Sequence, residues 1–269
     1  LLVTPLLEFS PDRPVLVVPD VHQDLGFLER AVALAAGEGA ALCFLGDHAD
    51  AINPRWQGEA ALRAVAERLP ELAETHVPGC VFLSGNHDVE ALRLAHLRAR
   101  HLLAGDDTLV AKLDAANASA PAYARLLGAW PASFLRTWGL AAVAHGYLLS
   151  HAGVSRRLWP WAASPHAAEQ TETFIREANT AWDAWLARGD EGPLFAVGPA
   201  RGGRGIAPVG GVLWLDWDHE FVDDLPLPQI VGHTRAREPR RKDRSWCLDA
   251  AQSAVGLLDP DLGLRVLRI

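Results

Sequence analysis

Five short polar motifs punctuate the chain: Asp20-Val21-His22, Gly46-Asp47-His48-Ala49-Asp50, Gly85-Asn86-His87-Asp88, Ser150-His151-Ala152-Gly153 and Gly232-His233-Thr234. At least four of them follow an apolar run. The continuous runs at 15–18, 41–45 and 81–83 suit buried strands that feed loops at their carboxyl ends. Helical spacing over 25–36, stopping at Gly37, places a helix between the first two runs, so the opening reads strand, helix, strand. A second helix over 59–69, interrupted or closed by Pro70, precedes the third strand. The fold class is therefore α/β. Ligands in open α/β architectures gather beyond the carboxyl ends of strands. The spacing thus predicts that motifs remote in sequence converge, which is what a metal centre needs.

Farther along, residues 89–103, 122–127 and 167–186 show helical periodicity and read as lids or walls. Residues 140–144 and 147–150 flank His145-Gly146 as a strand pair joined by a tight turn. Strands are expected at 212–215, 229–231, 245–248, 254–258 and 264–267, the last three as a meander. Pro and Gly cluster over 189–211, interleaved with Arg201 and Arg204, and this stretch reads as an active-site loop. Residues 1–269 are taken as one domain with a helical insert at 89–138. His48, His145 and His219 are expected to be loop or turn residues. The basic run from Arg235 to Arg244 is read as a solvated loop, or as a local attractor of anionic substrate. Trp159, Trp161, Trp182, Trp185, Trp214 and Trp217 are assigned to packing.

Composition excludes several functions. A formal charge of -8 argues against a stable nucleic-acid complex, because phosphate backbones are bound mainly through Lys and Arg. Cys43, Cys80 and Cys247 are too few and too dispersed for a disulfide framework or a thiolate zinc site, which fits a reducing, cytoplasmic setting. There is no apolar run of roughly 20 residues to span a bilayer, and residues 1–14 lack the features of a secretory signal. No membrane partner is expected.

Taken physically, Asp20 and His22 are two residues apart and can grip one cation from the same side. Asp47 can bridge two cations, since its carboxylate offers about four lone-pair sites. The Asn86 amide oxygen and the imidazoles of His151 and His233 then complete a second site. Hard oxygen with borderline nitrogen ligands suits Mn, Fe or Zn.

The motif series resembles the calcineurin-like metallophosphoesterase superfamily over most of the chain. The final Gly-His-Thr is more similar to the branch of the Ser/Thr protein phosphatases and diadenosine tetraphosphate hydrolases. The resemblance implies a double β-sandwich of two mixed sheets flanked by helices in four layers, α/β/β/α, with the metal site at strand carboxyl ends. It also implies two divalent ions, manganese first with iron or zinc as alternatives. One ion falls on Asp20, His22 and Asp47, the other on Asp47, Asn86, His151 and His233. His87 would meet the leaving-group oxygen and Asp50 would orient it, Asn86 and His87 diverging as neighbours in extended backbone. The implied reaction is in-line attack on phosphorus by a metal-bridging hydroxide.

The resemblance breaks after Asp50, where Ala51-Ile52 replaces the Arg-Gly of the protein phosphatases. Arg201 and Arg204, then Arg55 and Arg235, are the candidate phosphate clamps. The expected function is hydrolysis of phosphate monoesters, and also of diesters, on a phosphorylated small molecule, nucleotide or phosphoprotein. The alternatives are a dinucleoside polyphosphate hydrolase and a non-catalytic scaffold of the same fold.

Overall fold

The computed structural model describes residues 9–50, 58–77, 79–117, 119–161, 165–205 and 207–269, with Leu127 described in its backbone only. Arg55, one of the arginine candidates, lies outside the described residues.

The first sheet grows from the apolar runs. β1 (Val15–Val18), β2 (Ala41–Phe44), β3 (Cys80–Leu83) and the two-residue β4 (Trp138–Gly139) are parallel neighbours. In β1 the side chains alternate. Val15 and Val17 enter a core shared with Ala142, Leu149 and Ile230 of a second sheet, while Leu16 and Val18 enter the core packed by helices. Burial on both faces is why these strands read as unbroken apolar runs. The helices of this half are α1 (Leu25–Glu38), α2 (Glu59–Thr75) and α3 (Asn86–Leu103). The short helices α4 (Asp107–Ala116), α5 (Ala120–Tyr123), α6 (Leu126–Ala129) and α7 (Ala132–Leu135) follow.

The second sheet holds β5 (Ala141–Ala144), β6 (Tyr147–Ser150), β7 (Gln229–Val231), β8 (Arg240–Lys242) and β9 (Ser245–Cys247), in the order β5-β6-β7-β9-β8. β6, β7 and β9 are parallel, with antiparallel edges. A long helix, α8 (Ala167–Arg188), packs Phe174, Ile175 and Trp182 into the core that also takes Ala141 and Leu148. The hairpin of β10 (Ala254–Asp259) and β11 (Gly263–Arg268) returns to the first sheet, where β10 runs antiparallel to β1. Two mixed sheets flanked by helices result.

Several expectations are corrected. α2 runs through Pro70. The Ala66 carbonyl that Pro70 cannot serve instead accepts the indole N–H of Trp130 at 3.0 Å, which offsets the hydrogen bond that a proline inside a helix forfeits. α1 continues past Gly37 to end at Gly39, and the periodicity at 122–127 is split between α5 and α6. Residues 212–215 form a buried turn, with the amides of Trp214 and Leu215 both donating to Gly211 O, because an apolar run reports burial rather than backbone conformation. The last three strands are not a meander, since β9 belongs to the second sheet.

Arg235 and Arg237 are exposed outside any strand, as a solvated loop requires, but residues 240–242 of the basic run form an edge strand. Arg240 pairs with Asp218, Lys242 donates to the carbonyls of Trp217 and Phe221, and Arg241 lies over the Trp246 ring. Charges on an edge strand also deter pairing with another chain. Among the described residues, no helix is long and apolar enough to cross a membrane.

Candidate metal centre

The carboxyl ends of six parallel strands meet at one place. β1, β2 and β3 deliver Asp20 and His22, Asp47 and Asp50, and Asn86 and His87; β6, β7 and β9 deliver His151, His233 and Asp249. The backbone is bent to do so. His22, Asp47, Asp50 and His233 all have positive φ, between 45° and 65°, a conformation that costs a side-chain-bearing residue about 1–3 kcal/mol and concentrates at functional sites. Close approach demands glycine at two turns. A Cβ on Gly85 would lie 2.0 Å from Asp47 Oδ1, and one on Gly232 would lie 2.0 Å from Asp20 Oδ1.

Hydrogen bonds fix the imidazoles. His151 Nδ1 donates to Leu45 O at 3.0 Å and His22 Nδ1 donates to Asp50 O at 2.7 Å, leaving each Nε2 lone pair facing the centre. His22 Nε2 is 3.8 Å from Asp20 Oδ2 and 3.7 Å from Asp47 Oδ2; His151 Nε2 is 3.4 Å from the same Asp47 oxygen. Those separations are long for hydrogen bonds. They match two ligands of a common cation, which sit about 3–4 Å apart when each metal bond is about 2.0–2.2 Å. Asn86 Oδ1 lies 2.9 Å from both His151 Nε2 and His233 Nδ1. An amide oxygen facing an imidazole lone pair at that distance is relieved by a cation between them. Two triads thus form, Asp20, His22, Asp47 and Asp47, His151, His233, with Asp47 common to both. The donor set fits a pair of divalent ions.

The electrostatics point the same way. Burial lifts Asp20 to about 6 and Asp47 well above the usual carboxylate range, while it lowers His22 to about 4, His151 to about 3 and His233 well below its ordinary value. Buried carboxylates without cations are costly, and neutral imidazoles are ready ligands.

His87 stands at the edge of this cluster, half-buried, with Nδ1 donating to Asp50 Oδ2 at 2.7 Å and Nε2 4.0 Å from Asp47 Oδ2. Burial alone would depress His87, but the Asp47 charge and the Asp50 hydrogen bond outweigh it and raise the group to about 9. Asp50 is held low despite its burial by the bonds from His87 and Tyr123. The extended backbone expected at Asn86 and His87 is not found. They open α3, and the His87 amide donates to Asp47 Oδ1 at 2.9 Å, so the positive end of the helix meets a carboxylate.

Sequence reading missed four contributors. Asp249, buried beside Asp20 and raised to about 7 by that burial and by the Asp20 charge, follows β9 as the other motifs follow their strands, a signal that was there to be used. Asp88 accepts from the amides of His48, Ala49 and Gly85 and from the His48 ring, tying the second motif to the third. His48 is accordingly no plain loop residue. It is fully buried among Phe44, Phe82, Trp130 and Trp138. Tyr123, from the helical insert, reaches Asp50, and Trp214 sets its ring edge-on to His233 at 5.9 Å. Neither carried a local sequence signal.

The arginines separate. Arg201 donates to Thr234 Oγ1 at 2.7 Å, next to His233, and pairs with Asp216 at 2.9 Å. Arg204 lines a neighbouring cavity, and Arg235 is exposed. His219 pairs with Asp216, and His145 reaches Arg13 O from its turn.

The sequence profile of calcineurin-like phosphoesterases matches residues 13–234. Among solved structures, the cold-active protein-tyrosine phosphatase of a psychrophilic Shewanella species is similar at 15% identity and TM-score 0.57, over 97% of this chain and 83% of that one. A point mutant of a cold-active protein tyrosine phosphatase is similar at 16% identity and TM-score 0.58, over 97% and 80%. At that identity the likeness speaks for the fold. No curated protein matches the chain.

Proposed function

Because the chain belongs to the calcineurin-like phosphoesterase family, whose members hold divalent metal ions, we propose that it hydrolyses phosphate monoesters, and also diesters, at the centre described above. The observation that carries this reading is Asp47 shared between two ligand triads. Asp20, His22 and Asp47 hold one ion; Asp47, Asn86, His151 and His233 hold the other, with manganese favoured by the mixed oxygen and nitrogen donors. When bound, the ions supply Lewis-acid stabilisation of the phosphoryl oxygens and a water of lowered pKa.

The remaining work falls to side chains. His87 delivers the proton on Nε2 to the leaving oxygen as its bond to phosphorus breaks, and one water is consumed. Asp50 accepts from Nδ1 and keeps Nε2 turned outward. Arg201, already fixed by Thr234 and Asp216, presents its guanidinium to the phosphate. The reading takes residues 1–269 as one domain with a helical insert at 89–138 and an active-site loop at 189–211, supported by both sheets contributing to one centre. Three free thiols support a reducing, cytoplasmic setting.

Chelator treatment followed by manganese should abolish and then restore turnover of an aryl phosphate. Undiminished activity in demonstrably metal-free protein rejects the reading. Comparing aryl monoester with bis-aryl diester separates the two subclasses.

A further inference from the structure

An open cavity of about 850 Å³, lined by Arg157, Leu158 and described residues between Glu191 and Gly210, is left unused by the hydrolytic chemistry. The volume lies within the roughly 300–1,000 Å³ typical of small-molecule sites. Leu158, Phe195, Val197 and Val209 make it apolar, and the exposed Arg157 and Arg204 also line it. Neither arginine has an ion-pair partner among the described residues. Glu191 is the one carboxylate among the described residues of the lining, so their charge balance favours an anion.

Backbone links this cavity to the centre. Arg201, bonded beside His233, is followed by Gly202-Gly203, which place no side chain between it and Arg204. The bare backbone is enforced, since a Cβ on Gly203 would lie 2.0 Å from Val197 O. On another wall, Gly210 packs against the backbone of Trp214, whose ring stands against His233. Arg201, bonded next to His233, and Arg204, in the cavity wall, are thus separated by only two glycines, and the apolar space carries two guanidinium groups without an ion-pair partner among the described residues.

We propose that this cavity holds the leaving group of the ester, and that the preferred leaving group has an apolar ring or chain ending in a second anionic group, which Arg157 and Arg204 engage. The proposal rests on the hydrolase reading above. The apolar body fills the cavity; the terminal anion selects among substrates of equal phosphate chemistry.

The test uses the full chain loaded with manganese and a series of phenyl phosphates with para side chains of increasing length, each ending in a carboxylate or in the neutral amide. One chain length should show a preference for the acid of about tenfold in kcat/KM, the equivalent of one good charge-assisted contact. Arg157→Glu combined with Arg204→Glu should erase or invert that acid-to-amide ratio. Ala207→Trp, filling the cavity, should raise KM for the long esters relative to phenyl phosphate. An acid-to-amide ratio near one at every length, or one that survives the double substitution, overturns the proposal. If no ester at all is hydrolysed, the hydrolase reading fails instead. Calorimetry with the matching carboxyalkyl phenol then decides the cavity on its own: arginine-dependent binding supports it, and absence of binding overturns it.

Discussion

The two sheets bring strand ends to the same centre by different means. On the first, the loops after β1, β2 and β3 hold one another. Val21 and His22 amides donate to Asp47 O, and the His48, Ala49 and Gly85 amides donate to Asp88. On the second, the Gly232 amide donates to His151 O and the Ala236 amide to Asp249 O, and the loops are tied in addition to the first sheet. His151 Nδ1 donates to Leu45 O, the His233 amide donates to both Asp20 oxygens, and Gln252 donates to Asp20 O. The first half is a frame that carries Asp20, His22, Asp47 and Asn86. The second supplies His151 and His233, positioned in part by contact with that frame. Asp47 lies where they join and is common to both triads, so the second triad cannot close without the first half.

Substitution at Asp47 breaks this comparison most directly. Asp47→Ala removes the shared ligand together with an acceptor of the His87 amide. We expect loss of both ions and of activity by on the order of 10⁴-fold or more, since the chemistry depends on them. His87→Ala should lower turnover by about 10²–10⁴-fold, the usual weight of a proton donor, while metal content is retained. Metal analysis of both variants is the measurement. One ion left in Asp47→Ala would make the halves separate sites, and equal metal loss in the two variants would remove His87 from its role.

The same contrast governs what the sequence discloses. Asp20, Asp47 and Asn86 follow fully buried strands with apolar runs, so both the elements and the residues were readable. His151 and His233 were readable as residues, though β7 has only three residues. Around them the reading failed where conformation depends on distant partners. The 212–215 run is apolar because it covers the sheet, and 240–242 is a strand although it is Arg-Arg-Lys, because its charges are tied to the covering loop. Pro70 was misread because the Trp130 indole that satisfies Ala66 O sits 64 positions away in sequence. Asp249 alone was legible and overlooked.

A smaller effect separates the carboxylate ligands from the imidazole ligands. Without metal, burial raises Asp20 to about 6 and Asp47 well above the ordinary carboxylate range, and lowers His22 to about 4 and His151 to about 3. Manganese uptake at pH 5.5 should therefore release protons, and they come from the carboxylates. Release should decline as pH rises through 6 and beyond, because the groups raised by burial are then increasingly ionised before metal arrives. Titration calorimetry in buffers of different ionisation enthalpy reads the count. Release that instead follows an ordinary imidazole, centred near pH 6.5, would assign the protons to the histidines.

The smallest expected effect separates strain that serves the ligands from strain that does not. His22, Asp47 and Asp50 adopt positive φ and cannot become glycine without losing their side chains. Ala251, in the loop after β9, has φ of 56° and contributes only a methyl group; its amide bond to Asp249 Oδ1 belongs to the backbone and survives substitution. A left-handed conformation costs an L-residue about 1–2 kcal/mol, and glycine's greater freedom in the unfolded chain returns about 0.4–1 kcal/mol of that. The balance favours the native state, so Ala251→Gly should stabilise by about 0.5–1 kcal/mol, read as a higher denaturant midpoint at unchanged slope. A lower midpoint would mean that the methyl group packs usefully, and that this loop is braced by side-chain contact as well as by its backbone.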